Sequence, residues 1–209
     1  MAYPISYDVV PQLRERNRLT VFFRIILAIP HILLVGGPFF AFGYGFGHHW
    51  GFGGIMGWVA GVMAIIAWFA ILFADSHPRG LWDFARYFLA WRARALAYIA
   101  LLRDDYPPFG EAPYPATFAA NYPEAPRDKW SVGLRILLVI PHVVVLFFLG
   151  IAFFVVTVIA WFAILFTASY PEGLYAFAVG CLRWSLRVEA YLLLMRDEYP
   201  PFSLRPEAG

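Results

Sequence analysis

One apolar octet constrains this chain more than any other feature: IAWFAILF stands at residues 66–73 and again, unchanged, at residues 159–166. A chain that uses the same eight apolar residues twice is expected to hold two copies of one structural unit. Neither octet contains a charged residue, and both lie in longer apolar stretches of the kind that enter membranes. The octets therefore predict a duplicated, membrane-embedded unit.

The repeat extends over most of the chain. Matching segments occur in the same order in both halves: RIILAIPH at 24–31 with RILLVIPH at 135–142, and RDDYPPF at 103–109 with RDEYPPF at 196–202. Short coincidences arise by chance, but an ordered series does not. We therefore divide the chain into a first repeat, residues 1–110, and a second repeat, residues 111–209.

The first repeat carries an insert that the second lacks. Matching residues are 111 positions apart before it and 93 positions apart after it, so it contains 18 extra residues. They fall in the glycine- and aromatic-rich stretch GPFFAFGYGFGHHWGFGG at residues 37–54. We interpret this insert as an outer loop with an aromatic contact surface.

Composition places the chain among membrane proteins. Hydrophobic residues make up 61% of it and charged residues 14%, whereas soluble domains average about 45–50% and about 25%. The net charge of +2 is too small to suggest nucleic acid binding. Lys129 is the only lysine, and this arginine bias suggests a GC-rich bacterial genome.

Charge-free windows predict where the chain enters the membrane. No Asp, Glu, Lys or Arg lies between Arg24 and Asp75, or between Arg135 and Glu172. A spanning helix needs roughly 17–25 apolar residues, and lipid offers no partner to free backbone groups, so each window predicts a helical hairpin. The predicted spans are 19–39 and 55–74, then 131–149 and 151–168, with the second hairpin turning near Gly150.

Basic residues lie on one side of both hairpins. Arg14, Arg16 and Arg18 precede the first, and Arg127 and Lys129 precede the second. The positive-inside rule then predicts a multi-pass protein of the bacterial inner membrane with both termini in the cytoplasm.

The third segment of each repeat, residues 79–102 and 172–195, is apolar but contains several charges. Each charge at a bilayer centre costs a few kcal/mol, so we interpret these segments as amphipathic helices in the cytoplasmic interface. Six aromatic residues would anchor them: Trp82, Tyr87, Trp91, Tyr175, Trp184 and Tyr191. The predicted fold is therefore all-α, with four spans. If the third segments span instead, six helices form two inverted halves, a transporter-like plan.

Arg24 and His31, and likewise Arg135 and His142, are seven residues apart and share a helix face. Ionisable groups inside a membrane are candidates for function. Each histidine is interpreted as a neutral group bonded to a carbonyl freed by the neighbouring proline or to a tyrosine. Alternatively, the four residues form a proton or ligand site between the two halves, or the two histidines hold a haem or another pigment.

A charged segment ends each repeat and is interpreted as a structural clamp, in which its acids pair with arginines of the other copy. Its members are Arg103, Asp104, Asp105, Arg196, Asp197 and Glu198. The alternative is a catalytic acid pair, but no histidine, serine or cysteine nucleophile lies beside either pair.

The sequence predicts neither a cofactor nor a metal centre. His48 and His49 are adjacent in the insert, but two histidines without a third ligand nearby are weak candidates for metal binding. Cys181 is the only cysteine and has no partner for an internal disulfide.

The repeated motifs resemble a family of bacterial membrane proteins known only as a domain of unknown function. They are two copies of R-x5-PH, a YP-x-G-L/W turn, a W-x-x-R-x-x-AY helix and a D-x-YPPF ending. The first copy departs from the pattern, since His77 replaces the tyrosine of the turn and the insert is unusual. The resemblance implies a fold and no activity.

From the sequence we expect a non-enzymatic accessory or structural subunit of a membrane complex. Its partners would be the lipid bilayer and other membrane subunits or a second copy of itself, without nucleic acid. Two alternatives remain open: a small transporter or lipid-handling protein with a site at the repeat interface, and a membrane-shaping hairpin protein.

Overall fold

Each repeat folds in the same order: a short strand, a long apolar helical stretch and a buried helix. The computed structural model describes residues 3–38, 53–124 and 127–206. Its elements are β1 (Ile5–Val9), α1 (Arg18–Phe22), α2 (Arg24–Val35), α3 (Gly54–Ala74), α4 (Arg79–Ile99), β2 (Ala116–Ala120), α5 (Lys129–Leu138), α6 (Ile140–Thr167) and α7 (Glu172–Leu192).

The two strands pair with each other across the repeats. β1 and β2 are antiparallel, with Tyr7 opposite Phe118. β1 alternates buried and exposed residues and buries Ile5, Tyr7 and Val9, as expected of a strand with one covered face. The all-α prediction is therefore wrong on this point, although the described chain is mostly helical.

The molecule has three layers, and α4 and α7 form the middle one. β1 packs on α7 and β2 packs on α4, so each strand covers the helix of the other repeat. On their other side, α4 contacts α2 and α3, while α7 contacts α6. α4 and α7 also contact each other, which joins the two repeats at the centre of the fold.

This burial contradicts the prediction that the third segments lie on the membrane surface. Trp82, Trp91, Tyr175, Trp184 and Tyr191 are all buried, so protein covers the side chains that would have served as interface anchors. Neither α4 nor α7 is among the helices apolar enough to cross a membrane. Arg92 of α4 and Glu189 of α7 pair inside the protein, and this pairing between distant segments cannot be seen from either segment alone.

The second repeat does not form the predicted hairpin. α6 continues for 28 residues through buried Gly150, where a turn was predicted. A helical glycine costs only about 1 kcal/mol relative to alanine, which is too little to end a helix in an apolar segment. The helical stretch is interrupted instead at Val139, just before Pro141, which has no N–H to donate.

In the first repeat, residues 29–35 of α2 and the whole of α3 correspond to α6, and the insert separates them. The offsets of 111 and 93 align Val35 with Leu146 and Gly54 with Phe147, which are consecutive in α6. The chain leaves the helix at Gly36 and returns at Gly53, and a Cβ on Gly36 would lie only 2.7 Å from the carbonyl carbon of Gly53. Both glycines have positive φ values, 77° and 82°, in a region that only glycine adopts readily.

Equivalent positions of α3 and α6 face the interior of the protein. α3 buries Gly57, Ala60, Ala67 and Ile71, and α6 buries Gly150, Phe153, Ala160 and Ile164, each 93 positions further on. α2 has only 12 residues, so the predicted span 19–39 is not a continuous helix. The predicted contact surface of the insert lies mainly at residues 39–52, outside the described residues.

Two of the described helices are long and apolar enough to cross a membrane. They are α3, with a mean hydropathy of 2.3, and α6, with a mean hydropathy of 3.1. Only 22% of the most apolar window of each helix is buried. The structure thus contains two candidate spans where the sequence predicted four.

Candidate functional site

Asp104 organises the first of two equivalent polar clusters. Its carboxylate accepts hydrogen bonds from Arg16 at 2.9 and 2.6 Å and from Arg24 at 2.8 Å. The backbone N–H of Asn17 donates a further bond of 2.8 Å, while the Asn17 side chain caps α1. Asp104 thus holds the start of the first helical stretch against the end of α4.

Asp197 repeats this arrangement in the second repeat. It accepts hydrogen bonds from Arg127 at 2.8 and 2.7 Å and from Arg135 at 2.9 Å. The backbone N–H of Asp128 donates at 3.0 Å, and the Asp128 side chain caps α5. In both clusters, therefore, two arginines and a capping residue surround one carboxylate.

The arginines keep both carboxylates charged. Burial raises the pKa of Asp104, but the hydrogen bonds from Arg16 and Asn17 and the positive charge of Arg24 outweigh it, so the net pKa is lowered. The pKa of Asp197 is lowered in the same way by Arg127, Asp128 and Arg135 against the effect of burial.

These ion pairs form within each repeat and do not clamp the two repeats together, as the sequence interpretation held. The other predicted clamp residues make short-range pairs, Arg103 with Asp105 and Arg196 with Glu198, and the acids of these pairs are exposed. Asp104 and Asp197 belong to different clusters, so the described residues do not bring them together as a catalytic acid pair.

His31 lies among aromatic side chains on α2, seven residues after Arg24 of the Asp104 cluster. Its Nδ1 accepts a hydrogen bond of 3.2 Å from the indole N–H of Trp91. Its ring stacks on Phe109 with centroids 4.6 Å apart, and Tyr106 lies 5.0 Å away. Tyr106 and Phe109 come from the D-x-YPPF ending, so this segment supplies both the carboxylate and the aromatic walls of the site.

His142 has the matching environment in the second repeat. Trp184 donates to its Nδ1 at 3.1 Å, Phe202 stacks on the ring at 4.1 Å, and Tyr199 lies at 4.7 Å. The interpretation of a neutral, hydrogen-bonded histidine is nearest to this geometry. The partner is a tryptophan, however, where the sequence analysis expected a carbonyl or a tyrosine.

An Nδ1 that accepts a bond requires the proton of a neutral imidazole to sit on Nε2. Both Nε2 atoms are buried and have no partner of hydrogen-bond geometry, although the carbonyls of Pro107 and Pro200 are close enough to interact with the rings. Neither histidine therefore offers an exposed nitrogen to a metal or a haem.

The structure keeps the two histidine sites apart. Within the residues it describes, His31 and His142 share no hydrogen bond or ring contact. Arg24 pairs with Asp104, and Arg135 pairs with Asp197. The same part of the chain contains no group of three or more potential metal-binding side chains. His48 and His49 lie outside it.

A buried ion pair between the repeats was missed from the sequence. Arg92 of α4 approaches Glu189 of α7 at 2.6 and 3.1 Å, and both side chains are fully buried. Arg92 also donates to the carbonyl of Val35, and Ser185 donates to Glu189 at 3.2 Å. A comparison of the repeats could have found this pair, because each charge is present in one repeat only. Arg92 corresponds to Ser185 in the second repeat, and Glu189 corresponds to Leu96 in the first.

These features define a class: a duplicated, mostly helical protein with two apolar helices long enough to cross a membrane and two equivalent Asp–Arg–His–Trp clusters. The chain matches a family model described as Domain of unknown function (DUF4389) over residues 49–110 and 129–203. The chain therefore belongs to this family, which confirms the resemblance of its motifs, and one matched segment falls in each repeat. No curated protein and no solved structure matches the chain.

Proposed function

We propose that this protein is a non-enzymatic integral membrane protein that acts as an accessory or structural subunit of a larger membrane assembly. One observation carries the proposal: α3 and α6 expose large apolar side chains along their whole length. The exposed residues are Ile55, Trp58, Val62, Ile65, Ile66, Phe69 and Phe73 on α3, and Ile140, Val143, Val144, Phe147, Phe148, Ile151, Phe154, Val155, Val158, Ile159, Phe162 and Phe166 on α6.

Water is a poor solvent for such a surface. Phe73 is 82% exposed and Phe166 is 76% exposed, and burying a large apolar side chain gains about 1.5–3 kcal/mol. With 21 and 28 residues, α3 and α6 are about 32 and 42 Å long, enough for a hydrocarbon layer of about 30 Å. Lipid acyl chains are the occupant that fits two helices exposed on most of their circumference.

The positions of the two terminal segments support an orientation with both termini on one side. Arg183 of α7 donates to the carbonyls of Tyr7 and Leu204, near the beginning and the end of the chain. Both segments therefore lie next to β1, on the side of α7 that faces the sheet. Basic residues lie close in sequence to the ends of the apolar helices on the side of these two segments. By the positive-inside rule we assign that side of the protein to the cytoplasm.

A subunit role is supported by further apolar surface beyond α3 and α6. Ile25, Ile29 and Leu33 of α2 and Ile136 and Leu137 of α5 are also exposed. In contrast, Arg24, His31, Arg135 and His142 are engaged inside their own repeats. We therefore do not propose a transport site built from these four residues.

Membrane integration is tested first by alkaline carbonate extraction, which should leave the protein in the membrane pellet. Single-cysteine variants in a Cys181→Ala background then test the orientation. Arg205→Cys should react with a membrane-impermeant maleimide only from the cytoplasmic side, whereas Ile151→Cys on α6 should be shielded. Release by carbonate, or labelling of Ile151→Cys in intact membranes, would contradict integration.

The subunit role is tested by native mass spectrometry of the untagged protein released gently from its own membrane. Stoichiometric protein partners are the expected result. Recovery of the protein alone, or only as a homo-oligomer, would reject the role of accessory subunit and leave membrane integration intact.

A further inference from the structure

Arg94 is a buried cation with unused hydrogen-bonding groups. Its side chain is on α4 and 94% covered, and among the residues that the structure describes only Nη1 has a partner, the carbonyl of Ala112 at 3.0 Å. Nε and Nη2 are buried without an acceptor. A guanidinium held away from water in this way needs an anionic or polar partner, because burying unpaired donors is costly.

The equivalent arginine of the second repeat shows what is missing. Arg187 donates to two main-chain carbonyls, those of Ser203 and Arg205. The positions that correspond to these carbonyls in the first repeat are Gly110 and Ala112. Arg94 donates to the carbonyl of Ala112 but makes no hydrogen bond to Gly110. In the first repeat the guanidinium therefore lacks one of the two carbonyl acceptors that Arg187 has in the second repeat.

A cavity of about 180 Å³ lies beside Arg94, between α4 and β2. Its walls include Ala90 and Arg94 from α4, and Ala112, Tyr114, Ala116 and Thr117 from the segment that leads into β2 and from β2 itself. Ala112 and Thr117 are exposed, so the cavity opens to solvent. It is therefore reachable without separating the layers of the fold.

Arg94 is the one charged residue among the described residues that line the cavity. Burial lowers the pKa of Arg94, against the opposing influence of Tyr87, Glu111 and Tyr114. The nearby carboxylate, Glu111, pairs with Arg86 at 3.1 Å and makes no hydrogen bond to Arg94.

We propose that the cleft between α4 and β2, here called the Arg94 cleft, binds a phosphate group through the free guanidinium edge of Arg94. The planar guanidinium matches two phosphate oxygens in a bidentate arrangement. Nε and Nη2 are covered in the unliganded protein, so entry of the phosphate exchanges this cover for two charge-assisted hydrogen bonds. The group belongs either to a lipid headgroup or to a free phosphate, and only the lipid source rests on the proposed membrane function.

The test uses the full-length protein in an uncharged detergent with two probes. Inorganic phosphate is titrated calorimetrically at constant ionic strength, and dioleoyl phosphatidylglycerol adducts are counted by native mass spectrometry. Arg94→Gln removes the cation, and Ala90→Leu fills the cavity without touching the charge. Arg187→Gln, which removes an equally buried arginine away from the cleft, is the matched control.

We expect one probe to bind the wild type and Arg187→Gln, and to bind Arg94→Gln and Ala90→Leu at least about tenfold more weakly, since a charge-assisted bond contributes that much. Inorganic phosphate behaving in this way identifies a free anion, and phosphatidylglycerol alone identifies a lipid headgroup. If Arg94→Gln fails to fold, Ala90→Leu decides. Equal binding of both probes to the wild type and the cleft variants would overturn the proposal, whatever the result of carbonate extraction.

Discussion

The indole N–H of Trp68 donates a hydrogen bond of 3.1 Å to the carbonyl of Val132, a residue of the other repeat. Trp161 makes the equivalent bond of 3.0 Å to the carbonyl of Val21. These tryptophans are the third residues of the two identical octets, so each octet contacts the first helix of the opposite repeat, α5 or α1. The repetition of the octet follows from two equivalent contacts in a pseudo-symmetric fold.

Because the contacts are equivalent, Trp68→Phe and Trp161→Phe should destabilise the protein to a similar extent. Each removes one hydrogen bond to a backbone carbonyl, at a cost of about 1 kcal/mol. The measurement is the free energy of unfolding in a mild detergent. Trp58→Phe on the exposed face of α3 is the control and should change it little. A loss confined to one octet would show that the contacts are not equivalent.

The junction of α2 and α3 leads to a second prediction, which concerns the insert. Deletion of residues 36–53 joins Val35 directly to Gly54, as Leu146 is joined to Phe147 in α6. The resulting helix keeps the buried face in register, so the variant should fold with a melting temperature near that of the wild type.

Deletion of residues 36–52 is the matched control for this prediction. The one remaining residue rotates α3 by about 100° relative to α2, which turns Gly57, Ala60 and Ala67 away from the core. This variant should melt well below the first deletion. Equal melting temperatures for the two deletions would show that α2 and α3 do not act as one interrupted helix.

The sequence predicted the features that repeat and missed those that depend on a distant partner. The sequence showed the duplication, the two histidines and the segments around Asp104 and Asp197, because each of these motifs occurs in both repeats. The strand Ile5–Val9 was missed because its pairing partner lies over a hundred residues away. The charges of α4 and α7 suggested a membrane surface, because the buried pair of Arg92 and Glu189 and the carbonyls that accept hydrogen bonds from Arg94 and Arg187 lie far away in the sequence.

The pair formed by Arg92 and Glu189 gives a third prediction. Arg92→Met leaves a buried carboxylate without its counter-charge and should cost about 3–5 kcal/mol, whereas the double variant Arg92→Met, Glu189→Met should recover much of this loss. The free energies of unfolding of Arg92→Met, Glu189→Met and the double variant, measured in detergent, give the coupling energy between the two side chains. Additive effects would show that the two side chains do not interact.

The two carboxylate clusters predict how stability depends on pH. The pKa of Asp104 is lowered below its ordinary value of 3.8, so its folded form binds a proton less readily than its unfolded form. Its stabilising contribution is therefore complete above the unfolded pKa and is lost as the pH falls through the folded pKa. Asp197 contributes in the same direction.

Asp104→Asn should therefore lower the unfolding free energy at pH 7 by about 3 kcal/mol, because Arg16 and Arg24 stay buried without their counter-charge. It should also reduce the loss of stability as the pH falls below 3.8, the unfolded pKa, as measured by urea unfolding in detergent. Asp105→Asn is the control, since that carboxylate is exposed and bonds only Arg103 among the side chains that the structure describes. A pH profile of Asp104→Asn that parallels the wild type would mean that Asp104 does not supply the acid-sensitive part of the stability, and Asp197→Asn would then show whether the second cluster supplies it.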